Sequence, residues 1–302
     1  MGLFSNRFEK AGPGVDPDAP QKRSFFRFFE LFFRKFTRFV KVNLMYSLVM
    51  IPTFLVVFVL IFIASSGLFG ENVSVEDSAY ATFIIAFFCT NLFVNIFGMG
   101  PATAGITYIM RNFAREEHAW IWSDFKDTFK ANFKQASAVY LINLVMLVVG
   151  YVALMFYTHQ SGAIGALRYV MYMIIIVFAM MNMYIYPMMI TFKLSLKDLY
   201  RNALLFAVGK LPSNLLILFL SVMIHIGLPI FAVLYMGQYF LVALIVLGLL
   251  EVLLTQSFTA FMVNFNVYPK MKKYMLDMMP DAEKAEETKS IFEDDVRTRR
   301  ER

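Results

Sequence analysis

The sequence predicts an all-α polytopic membrane protein with six transmembrane helices, on three observations. Of 302 residues, 59% are hydrophobic and only 17% charged, where a soluble domain is nearer half apolar and a quarter charged. The apolar residues fall in six blocks. Each is near the ~20 residues that a helix needs to cross a hydrocarbon core ~30 Å thick. The basic residues fall almost wholly in alternate segments between the blocks. Lipid satisfies no backbone groups, so the β-branched and aromatic residues within the blocks are read as helical.

The chain divides into an N-terminal segment (1–42), a membrane domain (43–269) and a charged tail (270–302). The first 38 residues are polar, aromatic and basic, with no apolar run before a small-residue cleavage site, so no signal peptide is expected. Asn6 stands where a myristoylation pattern wants Ser or Thr. Residues 24–42 place Phe25, Phe29, Phe32, Phe36 and Phe39 at helical spacing, with Arg27, Arg34, Arg38 and Lys41 on another face. That pattern predicts an amphipathic helix in the membrane interface.

The spans are expected at 43–65, 79–100, 136–157, 167–192, 214–235 and 240–265. A second basic amphipathic helix is expected at 120–135, where Phe125, Phe129 and Phe133 alternate with Lys126, Lys130 and Lys134. A weaker one is expected at 194–211. The two readings of these faces are contact with anionic lipid and docking of a partner. Beyond Met271 the tail turns rich in Glu, Asp, Lys and Arg and reads as a solvated helix or disorder.

Orientation follows from the basic residues. The four segments on one side carry nine, five, four and nine of them, which is 27 of the 28. The opposite side holds Arg168 and the acids Glu71, Glu76 and Asp77. Both ends are therefore expected in the cytoplasm. The net charge of +6 is an orientation signal and not one for nucleic acid.

The spans suggest a repeat. Asn95 precedes Pro101, Asn182 precedes Pro187 and Asn264 precedes Pro269, each pair at the end of an even span. Lys41, Lys134 and Lys210 each stand just before an odd span. The unit is an amphipathic helix, two spans, then Asn and Pro, three times over. Two-span units repeat in one orientation, about an axis along the membrane normal. Proline near a helix end is common. An amide within a span usually bonds a neighbouring helix.

Candidate chemistry is sparse. Glu251 is the carboxylate well inside a span, where an acid costs ~2.5–3.5 kcal/mol on insertion scales. His225 is the histidine inside a span. It lies 12 residues before the turn at Gly237 and Glu251 lies 14 after. At ~1.5 Å rise per residue, the two reach nearly equal depth. They are expected to share a polar patch, with Gln256 or Asn143 nearby. One reading is a proton or cation relay, the other a mutually satisfied structural pair. The run from Gly98 to Gly105 has neither nucleotide-binding spacing nor a preceding strand, so it is read as close helix packing. His118 and His159 share no metal-ligand spacing, the single Cys89 is read as a packing residue, and no nucleophile arrangement appears. The 21 methionines are read as flexible packing. No cofactor, metal or catalytic residue is expected.

Several motifs resemble the bacterial YesL family. They are Gly2-Leu3-Phe4, Gly12-Pro13-Gly14-Val15, Phe25-Phe26-Arg27-Phe28-Phe29-Glu30, and Gly100-Pro101-Ala102-Thr103-Ala104-Gly105 followed by Tyr108. Next come Arg111-Asn112-Phe113-Ala114-Arg115-Glu116-Glu117-His118 and Trp122-Ser123-Asp124-Phe125. The resemblance is strongest over roughly the first half of the chain. It implies a bacterial plasma-membrane protein of a family without established function, often encoded among sugar-uptake ABC transporters. The expected role is a non-enzymatic accessory of carbohydrate uptake, with permease subunits as partners. The alternative is a transporter in its own right, coupled through His225 and Glu251.

Overall fold

The computed structural model describes residues 23–65 and 95–278, and among these every regular element is helical. The first 22 residues, most of the second expected span, the acidic loop with Glu71, Glu76 and Asp77, Cys89 and the tail beyond Met278 lie outside the described residues.

Three times, a helix with one buried face meets the next helix across a single non-helical residue. Helix α1 (Ser24–Arg34) joins α2 (Phe36–Val49) at Lys35, where φ is −108° and ψ is 13°. After α3 (Ile51–Ser65) and α4 (Ile96–Ala114), helix α5 (Ile121–Ala131) joins α6 (Phe133–Thr158) at Asn132, with φ −101° and ψ 7°. Helix α7 (Gly162–Met189) is followed by α8 (Leu196–Gly209), which joins α9 (Leu211–Val222) at Lys210, with φ −126° and ψ 38°. The amphipathic helices bury one face each: Leu31 and Phe32 of α1, Phe125 and Thr128 of α5, Leu199, Ala203 and Ala207 of α8. Ser195 caps α8 by accepting from the Asp198 N–H, the pairing that orphan N–H groups at a helix start favour.

Among the described residues, four helices are long and apolar enough to cross a membrane: Phe133–Thr158, Gly162–Met189, Leu211–Tyr235 and Leu241–Met278. The third comprises α9, a π-helical turn (Met223–Gly227) and α10 (Leu228–Tyr235). A turn at Gly237, whose φ of +51° suits a residue without Cβ, leads into α11 (Phe240–Leu250). A second π-helical turn (Glu251–Thr255) and α12 (Gln256–Tyr274) complete the hairpin.

Two expectations need correction. The first span is not one helix: α2 and α3 part at Met50. Pro52, at the second position of α3, lacks the N–H that would bond the Leu48 carbonyl. The prolines also do not stop their helices. Pro101, Pro187 and Pro269 all lie inside helices, which run on to Ala114, Met189 and Tyr274. Each proline forfeits one ladder bond, whereas stopping the helix in apolar surroundings would strand several groups.

Helix α4 sits at the centre, against α2, α5, α6, α7 and α12. Packing is densest toward the end of the bundle that carries α1, α5 and α8. Phe39, Val42, Ile109, Phe113 and Phe261 are buried there, as are Tyr184, Ile185, Met188, Leu199 and Met271. Toward the opposite end large apolar side chains are exposed, among them Tyr151, Phe156, Tyr169, Met173, Phe231, Leu234 and Ile245. That distribution suits helices surrounded by lipid tails, which are as apolar as Leu.

Candidate functional site

The two π-helical turns face each other across the last hairpin, one carrying His225 and the other Glu251. A π turn widens the ladder to i→i+5 and is frequent at functional sites. Here it frees backbone carbonyls that need new donors. Asn43 supplies them: its Nδ2 donates to the carbonyls of Glu251 and Val252, both at 2.7 Å, and its Oδ1 accepts from the Ser257 N–H at 2.7 Å. Ser47 Oγ donates to the Val252 carbonyl at 3.1 Å. Asn43 is wholly buried.

With its backbone held, the Glu251 carboxylate projects toward His225. Oε2 stands 3.5 Å from His225 Nδ1, with the Glu251 side chain 42% and that of His225 27% exposed. Gln256 Nε2 donates to Oε1, and the Thr255 hydroxyl also bonds the carboxylate. His225 Nε2 lies 3.1 Å from Thr259 Oγ1. The site thus gathers His225, Glu251 and Gln256 with Thr255 and Thr259. Asn143 is elsewhere, donating to Asn182 Oδ1 at 2.6 Å.

The amides of the even spans behave as interhelical and local anchors. Asn95 Oδ1 accepts from Thr53 Oγ1 at 2.5 Å, and Tyr140 also bonds the Asn95 side chain. Asn182 and Asn264 each donate back to the carbonyl four residues earlier, in Phe178 and Ala260. The buried Asn264 Oδ1 has no partner among the described residues. The segment Gly98 to Gly105 is a contact surface: a Cβ on Gly100 would lie 2.6 Å from the Ala136 carbonyl oxygen, and one on Gly105 would lie 2.8 Å from the Phe125 ring. This is close helix approach through small residues.

The run from Arg111 to Glu117 organises the basic end. Arg111, 2% exposed, donates to the Ile190 carbonyl at 3.2 Å and to Thr191 Oγ1 at 2.8 Å. It lies over the Tyr108 ring and reaches Asn112 Oδ1. A cation at the C-terminus of α7 complements the helix dipole, and burial holds the guanidinium down to about 10. Arg115 pairs with Glu117 at 2.5 Å and covers the Tyr268 ring. Glu116 adopts φ +63° and takes Arg27 and Arg34 of α1 at 2.8 and 2.9 Å. The Arg34 hydrogen bond leads in holding its carboxyl below the usual range. Lys35 lies over the Phe113 ring and donates to the Glu117 carbonyl at 3.3 Å. Burial, with Arg34 and Arg38 nearby, lowers its ammonium to about 8.

The basic side chains expected to meet lipid or a partner therefore divide. Arg27 and Arg34 are committed to Glu116, because α1 docks with that face toward the loop. Arg38, Lys41, Lys126, Lys130 and Lys134 are exposed. Beside them Phe25, Phe26, Trp120 and Trp122 are also exposed. Sequence reasoning missed three functional-looking residues: Asn43, Glu116 as a clamp, and Lys270. Lys270 Nζ lies within 2.5 to 3.1 Å of Ser213 Oγ, Asn266 Oδ1 and Asn214 Oδ1. A positive φ at a glutamate has no sequence signature, and the Asn43 and Lys270 partners are remote in sequence. Among the described residues, no group of three or more His, Cys, Asp or Glu could hold a metal.

Residues 80–154 match the family model described as a protein of unknown function, DUF624. The chain is similar to that family over the stretch that includes Gly100 to Gly105, the Arg111 to Glu117 clamp and α5. No curated protein and no solved structure matches the chain.

Proposed function

We propose that this chain is a non-enzymatic accessory membrane protein of carbohydrate uptake, working beside the permease subunits of a sugar ABC transporter. In this reading it has six spans in three similar units, and its basic end faces the cytoplasm of a bacterium. The three single-residue junctions at Lys35, Asn132 and Lys210 support the threefold unit. The single observation that carries the accessory role is the preorganised platform at the basic end. There α1 is pinned by Glu116, while Phe25, Phe26, Trp120, Trp122, Lys126, Lys130 and Lys134 stay exposed. Rigid aromatic anchors beside cations are what a docking surface needs. The sugar-transport association rests on the resemblance to the YesL family. The test is co-purification with a sugar permease pair in mild detergent. Recovery of all three chains, weakened by charge reversal at Lys126, Lys130 and Lys134, supports the role. Repeated failure of the native chain to co-purify counts against it.

A second reading is favoured by the His225–Glu251 contact. An intramembrane acid and histidine within ion-pair reach are the usual parts of a coupling relay. In that reading the protein transports a solute itself. Substrate-dependent uptake by the purified chain in liposomes, lost in Glu251→Gln, supports it. Uptake that is unchanged in that variant removes the relay.

A further inference from the structure

The polar groups around Glu251 are not alike, and the difference bears on what the site binds. Toward the carboxylate point the Gln256 amide N–H, the Thr255 hydroxyl and the His225 ring. These groups can all serve as hydrogen-bond donors to an anion. A Na⁺, K⁺ or Ca²⁺ ion needs several oxygen ligands converging on one point. The oxygens that the π turn frees, the Glu251 and Val252 carbonyls, already accept from Asn43 and Ser47. Asn43 Oδ1 in turn is taken by the Ser257 N–H. The carbonyls that the π turn frees and the Asn43 amide oxygen are thus engaged, and the carboxylate faces donors.

His225 has two roles open to it. Nδ1 faces the carboxylate at 3.5 Å and Nε2 faces Thr259 Oγ1 at 3.1 Å. Imidazole is the one side chain whose ordinary charge change falls near neutral pH. The titratable groups facing Glu251 are His225, from the opposite π turn, and Tyr46, from α2. On α2, Lys41 is exposed and Asn43 and Ser47 carry no titratable group; on α12, Gln256 and Thr259 carry none. The first π turn lies near the middle of Leu211–Tyr235, and the second lies inside Leu241–Met278.

We infer that His225 and Glu251 form a binding site for one exchangeable proton, and not for a metal cation. This rests on the second reading only in treating the pair as a working site; it concerns the ligand and holds whether or not a solute moves. The proton resides between Nδ1 and Oε2. When it leaves, the carboxylate is held by Gln256 and Thr255.

The full-length chain in liposomes tests this with a membrane-permeant carbodiimide. The reagent reacts with a protonated carboxyl. The O–H adds across one C=N bond, the proton goes to nitrogen, and acyl transfer from oxygen to nitrogen leaves a stable N-acylurea. Peptide mass spectrometry reads the adduct at Glu251. The expected result is labelling that falls by about tenfold per pH unit on its alkaline limb, as for release of one proton. Exchanging choline for Na⁺, K⁺ or Ca²⁺ at constant ionic strength leaves it unchanged. His225→Phe, which removes the competing base, shifts the profile. Glu251→Gln abolishes the adduct. Protection by any of the metal ions overturns the inference, as does pH-independent labelling or an unlabelled Glu251 in native protein throughout the range. A chain that labels as expected but moves no solute leaves the proton site standing and removes only the transporter reading.

Discussion

Asn43 and Glu251 stand 208 residues apart in sequence, and the Asn43 amide donates to the Glu251 carbonyl at 2.7 Å. With its bonds to the Val252 carbonyl and the Ser257 N–H, one side chain satisfies three backbone groups that the π turn exposes. The carboxylate is therefore aimed by a residue that never touches it.

Asn43→Ala leaves the Glu251 carbonyl and the Ser257 N–H without that partner where water is scarce, and leaves the Val252 carbonyl to Ser47 alone. A buried group left unsatisfied costs on the order of 1–3 kcal/mol. The expected outcome is a clear fall in the unfolding temperature in mild detergent, together with a changed rate of carbodiimide labelling at Glu251. Ser47→Ala removes one donor to a carbonyl that Asn43 still serves, so its effect is smaller. Equal effects in the two variants would show that Asn43 does not hold the turn.

Glu116 ties the loop after α4 to Arg27 and Arg34 of α1, and its carboxyl is held below the ordinary range chiefly by Arg34. A carboxylate lowered by folding contributes stability that is present above its unfolded value, about 4.3. That contribution is lost as the pH falls through the lower folded value. The pairs are more than a third exposed, so each is worth ~0.2–1 kcal/mol. Amide exchange in α1, corrected for intrinsic rates, is expected to speed up at acid pH in the native chain. Glu116→Gln shows the faster exchange at neutral pH and loses the acid step. Glu116→Gly removes the same carboxylate but relieves the left-handed backbone by about 1 kcal/mol, so it unfolds later than Glu116→Gln.

Lys35 titrates in the opposite sense. Its folded ammonium is lowered to about 8 from 10.5, first by burial and then by Arg34 and Arg38. Between those values the unfolded chain binds more protons than the folded one, so stability rises with pH across that window. Below about 8 the cost of the buried charge is fully present. At about pH 8 a lysine acylating reagent should modify Lys35 well ahead of an exposed lysine such as Lys126. Lys35→Met should flatten the rise in unfolding temperature over the same window. A Lys35 that reacts no faster than Lys126 would refute the lowered value.

The parts of the fold legible in the sequence are those set by local periodicity. The Phe spacing around Phe32 and Phe125 and the weaker pattern around Leu199 marked where the amphipathic helices lie, but the helix expected over 24–42 breaks at Lys35. Counting from Gly237 was enough to bring His225 and Glu251 to one depth, because the rise of a helix is fixed. What periodicity does not carry is the choice of remote partner. Nothing near Asn43 announces residues 251–257, and nothing near Arg27 announces Glu116. The prolines misled for a related reason. Pro101 breaks a local bond, but the helix continues because α6 and α12 pack against it, and packing is decided by residues far away in sequence.

Gly100 is where that packing is tightest. A Cβ there would sit 2.6 Å from the Ala136 carbonyl oxygen and 3.1 Å from Tyr140 Cβ. The first obstacle is backbone, so α4 and α6 must separate. Overpacking of this kind costs ~1–3 kcal/mol, and Gly100→Leu should cost more than Gly100→Ala. Separation would also loosen the Tyr140 contact with Asn95. Gly209, at the end of α8, is the control: nothing lies within 4 Å of its added Cβ. There Gly→Ala lowers the entropy of the unfolded chain and stabilises by ~0.4–1 kcal/mol. Unfolding temperatures in one detergent should move down for Gly100→Ala and up for Gly209→Ala. If both rise, the approach of α4 to α6 is looser than the 2.6 Å contact implies, and close packing through this glycine is not what places α4 at the centre of the bundle.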